Sequence, residues 1–290
     1  RRLSPDWPEG AEDPAARASA VVAAAGTSFA AGMRILPRRR REGMHALYAF
    51  ARVIDDVADG DLPAAEKRAL LDAWAEEVRR LGAGAPRSVV GRALLGPVER
   101  YALPVEEFAL MVEGMRMDAE GPIVAPSEAT LAAYVRRVAG TVGLLSMRIF
   151  GAWRGAPSER FALALAEALQ TVNILRDVEE DADLGRLYLP REVLTRRGAP
   201  LTPREAAASP ALPAVCAEMG ARAREKFAAA RAEIGAHDRL RLAPALMMLG
   251  PYEGYLALLA RRDWRRAPPY RLARGRKLLL GLRCALSRPA

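Results

Sequence analysis

The sequence predicts an all-α fold, a single-domain helical bundle, and three observations lead there. The chain is 51% hydrophobic but only 6% aromatic, with Ala, Leu and Arg dominating. Ala and Leu favour helix, and the β-branched and aromatic residues that strands need are scarce. Helical patterns run almost end to end, punctuated by Pro and Gly, with no strand alternation and no fixed-period repeat. At 290 residues the chain is long enough to bury a closed cavity in one bundle.

In chain order, residues 1–14 carry three prolines and mixed charges and read as a flexible lead-in, so the folded domain is expected over 15–290. An Ala-rich helix at 15–32 stops before Pro37. The helix at 38–59 opens on Arg38-Arg39-Arg40-Arg41, where the helix dipole would favour acids, and ends at Gly60. That basic run is either a solvated face or a rim that attracts anionic substrate. Helices at 64–82, 87–101 and 104–119 follow, separated by Gly82, Gly84, Pro86 and Pro104. Pro122 and Pro126 precede a helix at 127–150, and Gly151 and Pro157 precede the next at 158–184. Gly185 and Pro190 mark a turn, and helices at 213–236, 242–262 and 270–286 complete the chain, the last set off by Pro268 and Pro269.

Composition excludes some chemistry. Cys216 and Cys284 lie far apart with no metal-type spacing, which suits a reducing cytoplasm. With only His45 and His237, zinc or His-centred catalysis is not expected, and both read as ordinary helix residues. The net charge of +9 suits nucleic acid, anionic lipid or phosphorylated substrates, and equally an Arg-rich composition. No basic motif interleaved with aromatics supports nucleic-acid binding. No signal-peptide or membrane-spanning pattern is expected, the longest uncharged stretch being Ala18 to Met33. Trp264, set among Arg261, Arg262, Arg265 and Arg266, suggests peripheral membrane contact, although a solvated turn has the same composition.

Two acidic strings carry the chemistry. In Leu47–Asp59, Asp55 and Asp59 are four apart and share a helix face, with Arg52 one turn earlier on that side and Asp56 pointing elsewhere. Like charges at that spacing repel, and a hard divalent cation would compensate. In the second string Gln170, Asn173, Asp177 and Asp181 fall at intervals of 3, 4 and 4, one polar stripe opposite Val172, Leu175 and Val178. A polar stripe is also what a solvent face looks like. Taken together, the strings could face each other across a bundle cavity and hold two or three Mg²⁺ against a diphosphate. Metal would then take up charge on the leaving group while an apolar pocket shields a carbocation from water.

At these residues the sequence resembles the squalene/phytoene synthase family over nearly its whole length. Thr27-Ser28-Phe29 with Ile35-Leu36-Pro37 resembles the opening motif, and Leu47–Asp59 the first aspartate motif. Gly114-Met115-Arg116-Met117-Asp118, and Tyr134 with Val138–Gly143, resemble the middle helices. Gln170–Asp181 running into Gly185–Pro190 resembles the second aspartate motif and its flap. The resemblance implies a class I all-α isoprenoid synthase bundle with a central cavity and dependence on two or three Mg²⁺. It implies that Asp55, Asp59, Asp177 and Asp181 are metal-site acids and that Arg52, Gln170 and Asn173 contact metal-bound diphosphate. Phe29 and Tyr252 would line the cavity, or be plain core aromatics, and Arg186 and Tyr188 would close over it.

Within the family the strings are most similar to members that join two farnesyl diphosphates head to head into presqualene diphosphate, with phytoene or dehydrosqualene synthesis as alternatives. An inactive helical scaffold is the non-enzyme alternative, which the intact acids disfavour. Relatives that continue to squalene tend to carry tyrosine where Arg136 and Arg137 stand, and cysteine at Val135. With no dinucleotide fingerprint, NADPH is not expected as a cofactor. The partners implied are isoprenyl diphosphates, without nucleic acid, in the cytoplasm, with peripheral contact to a membrane surface left open.

Overall fold

The computed structural model describes residues 4–5, 13–25, 29–264 and 272–286, apart from a few side chains near the ends. Fourteen α-helices make up these residues, with an isolated bridge between Val124 and Leu187 in place of any strand. They gather into two compact units, Arg1–Gly121 with Thr141–Trp153, and Pro122–Gly140 with Arg154–Ala290.

The first unit holds α1 (Pro14–Ala25), α2 (Phe29–Arg34), α3 (Arg38–Asp59), α4 (Ala64–Gly82), α5 (Val89–Tyr101), α6 (Val105–Ala119) and α8 (Thr141–Phe150). Bounds for α3 and α4 coincide with the sequence reading. The expected helix at 15–32 is described over α1 and α2, with residues 26–28 outside the described set. Most of the expected lead-in at 1–14 also lies outside the described residues. On α3, Met44, Leu47, Phe50, Ile54 and Val57 recur every three or four residues and are buried, which turns Asp55 and Asp59 off the core face. Phe50 anchors that face edge-on against Trp74 of α4 (5.9 Å) and Phe108 of α6 (5.4 Å). Buried Glu77 accepts hydrogen bonds from Arg87 N, Ser88 N and Ser88 Oγ, and so ties α4 to the start of α5. Within the Arg38–Arg41 run, Arg38 pairs with Glu42 at the surface, whereas Arg40 donates to Ile149 O at 2.6 Å and lies over Tyr101. Arg40 is therefore a packing residue that satisfies a carbonyl of α8.

The second unit holds α7 (Glu128–Val135), α9 (Ala156–Asp183), α10 (Arg191–Arg196), α11 (Pro203–Ala208), α12 (Leu212–Glu233), α13 (Arg239–Arg261) and α14 (Arg274–Leu286). The expected continuous helix at 127–150 is interrupted by a π-helical turn, Arg136–Gly140. Helices α10 and α11, six residues each, escaped the sequence reading because they are too short to show a period. The long α9 packs on α12, and α13 packs on α14. By length and composition α13 could cross a membrane, but 72% of that stretch is buried inside the fold, so its apolar residues serve the core. His237 bonds Ser158 Oγ and Glu233 O, a structural role, and Cys216 and Cys284 are free and buried. Trp264 lies against Gly220 of α12 so closely that a methyl group there would collide with the indole. Its ring is half-buried on its own fold, not held out as the expected membrane anchor.

Candidate active site

On α3, the acids and Arg52 sort differently from the expectation. Arg52 pairs first with Asp56, at 2.7 Å, and only loosely with Asp55, at 3.6 Å. Asp56, expected to point away, is thus the partner that holds the guanidinium. The reason is spacing: from Arg52, both i+3 and i+4 are within reach of a long side chain. Burial pushes the Asp55 carboxyl up to about 6, Asp59 adds to this, Arg52 opposes it, and Asp56 and Asp118 contribute further. Asp118, from α6, is a group the sequence reading quoted in a motif without giving it a role.

On α9, the Gln170–Asp181 stripe forms as the spacing predicts. Asn173 Nδ2 donates to Gln170 Oε1 at 3.4 Å, and Asn173 Oδ1 is buried with no hydrogen-bond partner. A buried acceptor without a donor is costly unless a ligand or water supplies one. Asp177 is held by both Nε and Nη2 of its neighbour Arg176, at 2.7 and 2.6 Å. Burial works against the Arg176 charge, but Asp177 outweighs it and the guanidinium pKa is raised, with Tyr252 as a further partner. Arg176 also lies over the Tyr255 ring at 5.9 Å. Sequence reasoning missed Arg176 because adjacent helix residues do not normally face each other; the bidentate fork closes only because burial folds the arginine back. Asp181 is pushed up to about 6, first by burial and then by Asp177, with Arg186 opposing.

After α9 the chain turns at Gly185, and Leu187 exchanges backbone bonds with Ile123 and Ala125 while Arg191 N donates to Pro126 O. These bonds hold Arg186 beside Asp181 and stack Tyr188 on Tyr134, rings 5.4 Å apart and 21° from parallel. Tyr188 and Tyr252 are both buried, and Tyr252 meets Tyr255 edge-on at 6.0 Å. Phe29 begins α2, but its side chain lies outside the described residues.

Arg136 and Arg137 are half-buried on the π turn. Arg137 Nη1 donates back to Ala133 O, and Arg136 lines a cavity of about 240 Å³ with Glu167, Arg222 and Lys226. The α9 residues in that lining are Leu163, Ala166, Glu167 and Thr171; the Gln170–Asp181 stripe is not among them.

The donor set fits a hard divalent cation. In the first unit Asp55 sits beside Asp59 with only Arg52 in partial opposition. In the second unit Asp181 sits beside Asp177 with Arg186 opposing, while Asn173 Oδ1 on the same helix is a buried neutral oxygen without a donor. Each unit by itself offers hard oxygen ligands. Among the described residues no three His, Cys, Asp or Glu gather closely enough to hold an ion alone. Phosphate oxygens and water would complete the coordination, as is usual for magnesium.

Residues 22–278 match the squalene/phytoene synthase family. The chain is 41% identical to presqualene diphosphate synthase of Rhodopseudomonas palustris, covering 91% of this chain and 94% of the relative. It is 40% identical to presqualene diphosphate synthase of Zymomonas mobilis, covering 85% and 84%. Phytoene synthases match at lower identity or over less of the chain. Among solved structures, a dehydrosqualene synthase in complex with ligand superposes with a TM-score of 0.81 at 25% identity, covering 93% of this chain and 95% of that one.

Proposed function

The chain belongs to the squalene/phytoene synthase family, and from that premise we propose that it condenses two farnesyl diphosphates into presqualene diphosphate. The observation that carries the proposal is similarity over nearly the full length to synthases of that name, with all four acids of the two strings intact.

In this reading Asp55 with Asp59, and Asp177 with Asp181, would hold divalent metal together with diphosphate oxygens. Bound Mg²⁺ would supply charge neutralisation to the departing diphosphate. The C1–O bond of one farnesyl diphosphate breaks, giving an allylic cation and free diphosphate. The C2–C3 double bond of the second molecule attacks that cation, and proton loss closes the cyclopropane. The products are one presqualene diphosphate, one diphosphate and one proton. Arg52 and Arg186, each already beside an acid, would reach phosphate oxygens. Gln170 orients Asn173, whose free oxygen would accept from metal-bound water. Arg176 fixes Asp177 and Tyr252 together, a positioning role. Tyr188 and Tyr252 would give the prenyl chains an apolar wall that keeps water from the cation. No His lies on either acid string, so released diphosphate is the base we favour. NADPH has no part in the proposed reaction.

Incubation with farnesyl diphosphate and Mg²⁺, with and without NADPH, is the test. Presqualene diphosphate plus free diphosphate is expected in both arms. Squalene in the NADPH arm, faster turnover of geranylgeranyl diphosphate to phytoene, or no diphosphate release would overturn the proposal.

A further inference from the structure

The net charge of this protein is concentrated in one stretch of its sequence. Residues 1–260 carry 34 Lys and Arg against 34 Asp and Glu, a balance of zero. Residues 261–290 carry ten Lys and Arg against the single acid Asp263, a balance of +9 that accounts for the whole net charge of the chain. Within this segment lies α14, which has no acidic residue.

One face of α14 is held tightly. Gly250 of α13 meets Leu280 O so closely that no side chain would fit there, and a methyl on Gly281 would lie 2.9 Å from Met247 O. Arg239 donates to Cys284 O at 2.6 Å and Ala285 O at 3.1 Å, satisfying carbonyls in the last turn of α14. The other face is bare. Leu278, Leu279, Leu282 and Leu286 are 48, 65, 40 and 77% exposed. At about 100° per residue they form a stripe roughly 100° wide, opposite the Gly281 and Cys284 side, with exposed Arg276 and Arg283 at one margin. Nine large hydrophobic side chains are exposed among the described residues, and these four share one helix. Scattered apolar residues need no explanation, but a contiguous stripe does.

We propose that α14 is a docking surface for an anionic bilayer. The leucine stripe enters the boundary between headgroups and acyl chains while Arg276 and Arg283 at its margin meet anionic headgroups. Nucleic acid would use the cations but not four leucines. A protein partner would cover the leucines but would not require the entire net charge in the same stretch of sequence. The proposal is independent of the enzymatic reading, since it rests on no residue of the acid strings.

The test is flotation of the full chain with vesicles of phosphatidylcholine alone or enriched in phosphatidylglycerol, at low and high salt. Binding is expected on the anionic vesicles only, weakened by salt. Leu279→Gln with Leu286→Gln changes the two most exposed leucines of the stripe and should lower partition by about tenfold or more while thermal stability and diphosphate release stay unchanged. Arg276→Gln should weaken binding to anionic vesicles less than the leucine pair does. Absence of flotation, equal flotation on neutral vesicles, or flotation indifferent to the leucine pair would overturn the proposal. So would a leucine-dependent dimer without vesicle binding, or salt-sensitive RNA binding in its place.

Discussion

Replacing Asp55 with Asn should make the metal-free protein more stable while destroying its activity. The carboxyl is pushed up to about 6 from 3.8, by burial and by Asp59. An acid whose folded pKa is raised contributes stability that is fully present below its unfolded pKa and lost as pH rises through its folded pKa. Here the window runs from about 4 to about 6, and above it the ionised Asp55 weakens the fold. A shift of about two units corresponds to ~3 kcal/mol if none of it were screened. The side chain is 42% exposed, which reduces the expected effect to roughly 1 kcal/mol. Asn keeps the volume and removes the charge, so it should recover that amount at pH 7.5. In a chain of this size roughly 1 kcal/mol moves the melting temperature by about 2 °C. The assay is thermal and urea unfolding of both proteins with chelator, at pH 7.5 and near pH 4. The variant should lead at pH 7.5, and the two should converge near pH 4. A variant equal to or weaker than the parent at pH 7.5 would refute the view that Asp55 is a strained carboxylate awaiting a cation.

Asp177→Asn should lower turnover by a factor on the order of a hundred or more with helicity retained, because the charge goes while the packing stays, as circular dichroism and product assay would show. Chelation should abolish diphosphate release and added Mg²⁺ should restore it; full activity in chelator would remove the metal from the proposal. Gly250→Val should lower the free energy of unfolding by ~1–3 kcal/mol, measured by urea unfolding, since the side chain would displace Leu280 backbone from α13. Phe50→Ala should cost roughly 3–5 kcal/mol by emptying the contact with Trp74 and Phe108, measured by urea unfolding.

Helix periodicity determined much of this protein from the sequence alone. The apolar spacing of α3 places Met44, Phe50 and Ile54 in the core and therefore turns Asp55 and Asp59 away from it, and the 3, 4, 4 spacing of Gln170, Asn173, Asp177 and Asp181 makes a stripe on any α-helix. Such readings need only the geometry of one helix, which is local. The π turn at Arg136–Gly140 was not legible, because a single inserted residue alters no composition and leaves the flanking periods intact. Partner choice was equally out of reach. Arg52 has acids at i+3 and i+4, Arg176 has one beside it, and Trp264 stands among arginines that suggest an interface. Only tertiary packing decides that Arg52 takes Asp56, that Arg176 folds onto Asp177 and Tyr252, and that Trp264 covers Gly220. The physical reason is that a long side chain reaches several partners at similar local cost, and the choice among them depends on burial by elements distant in sequence.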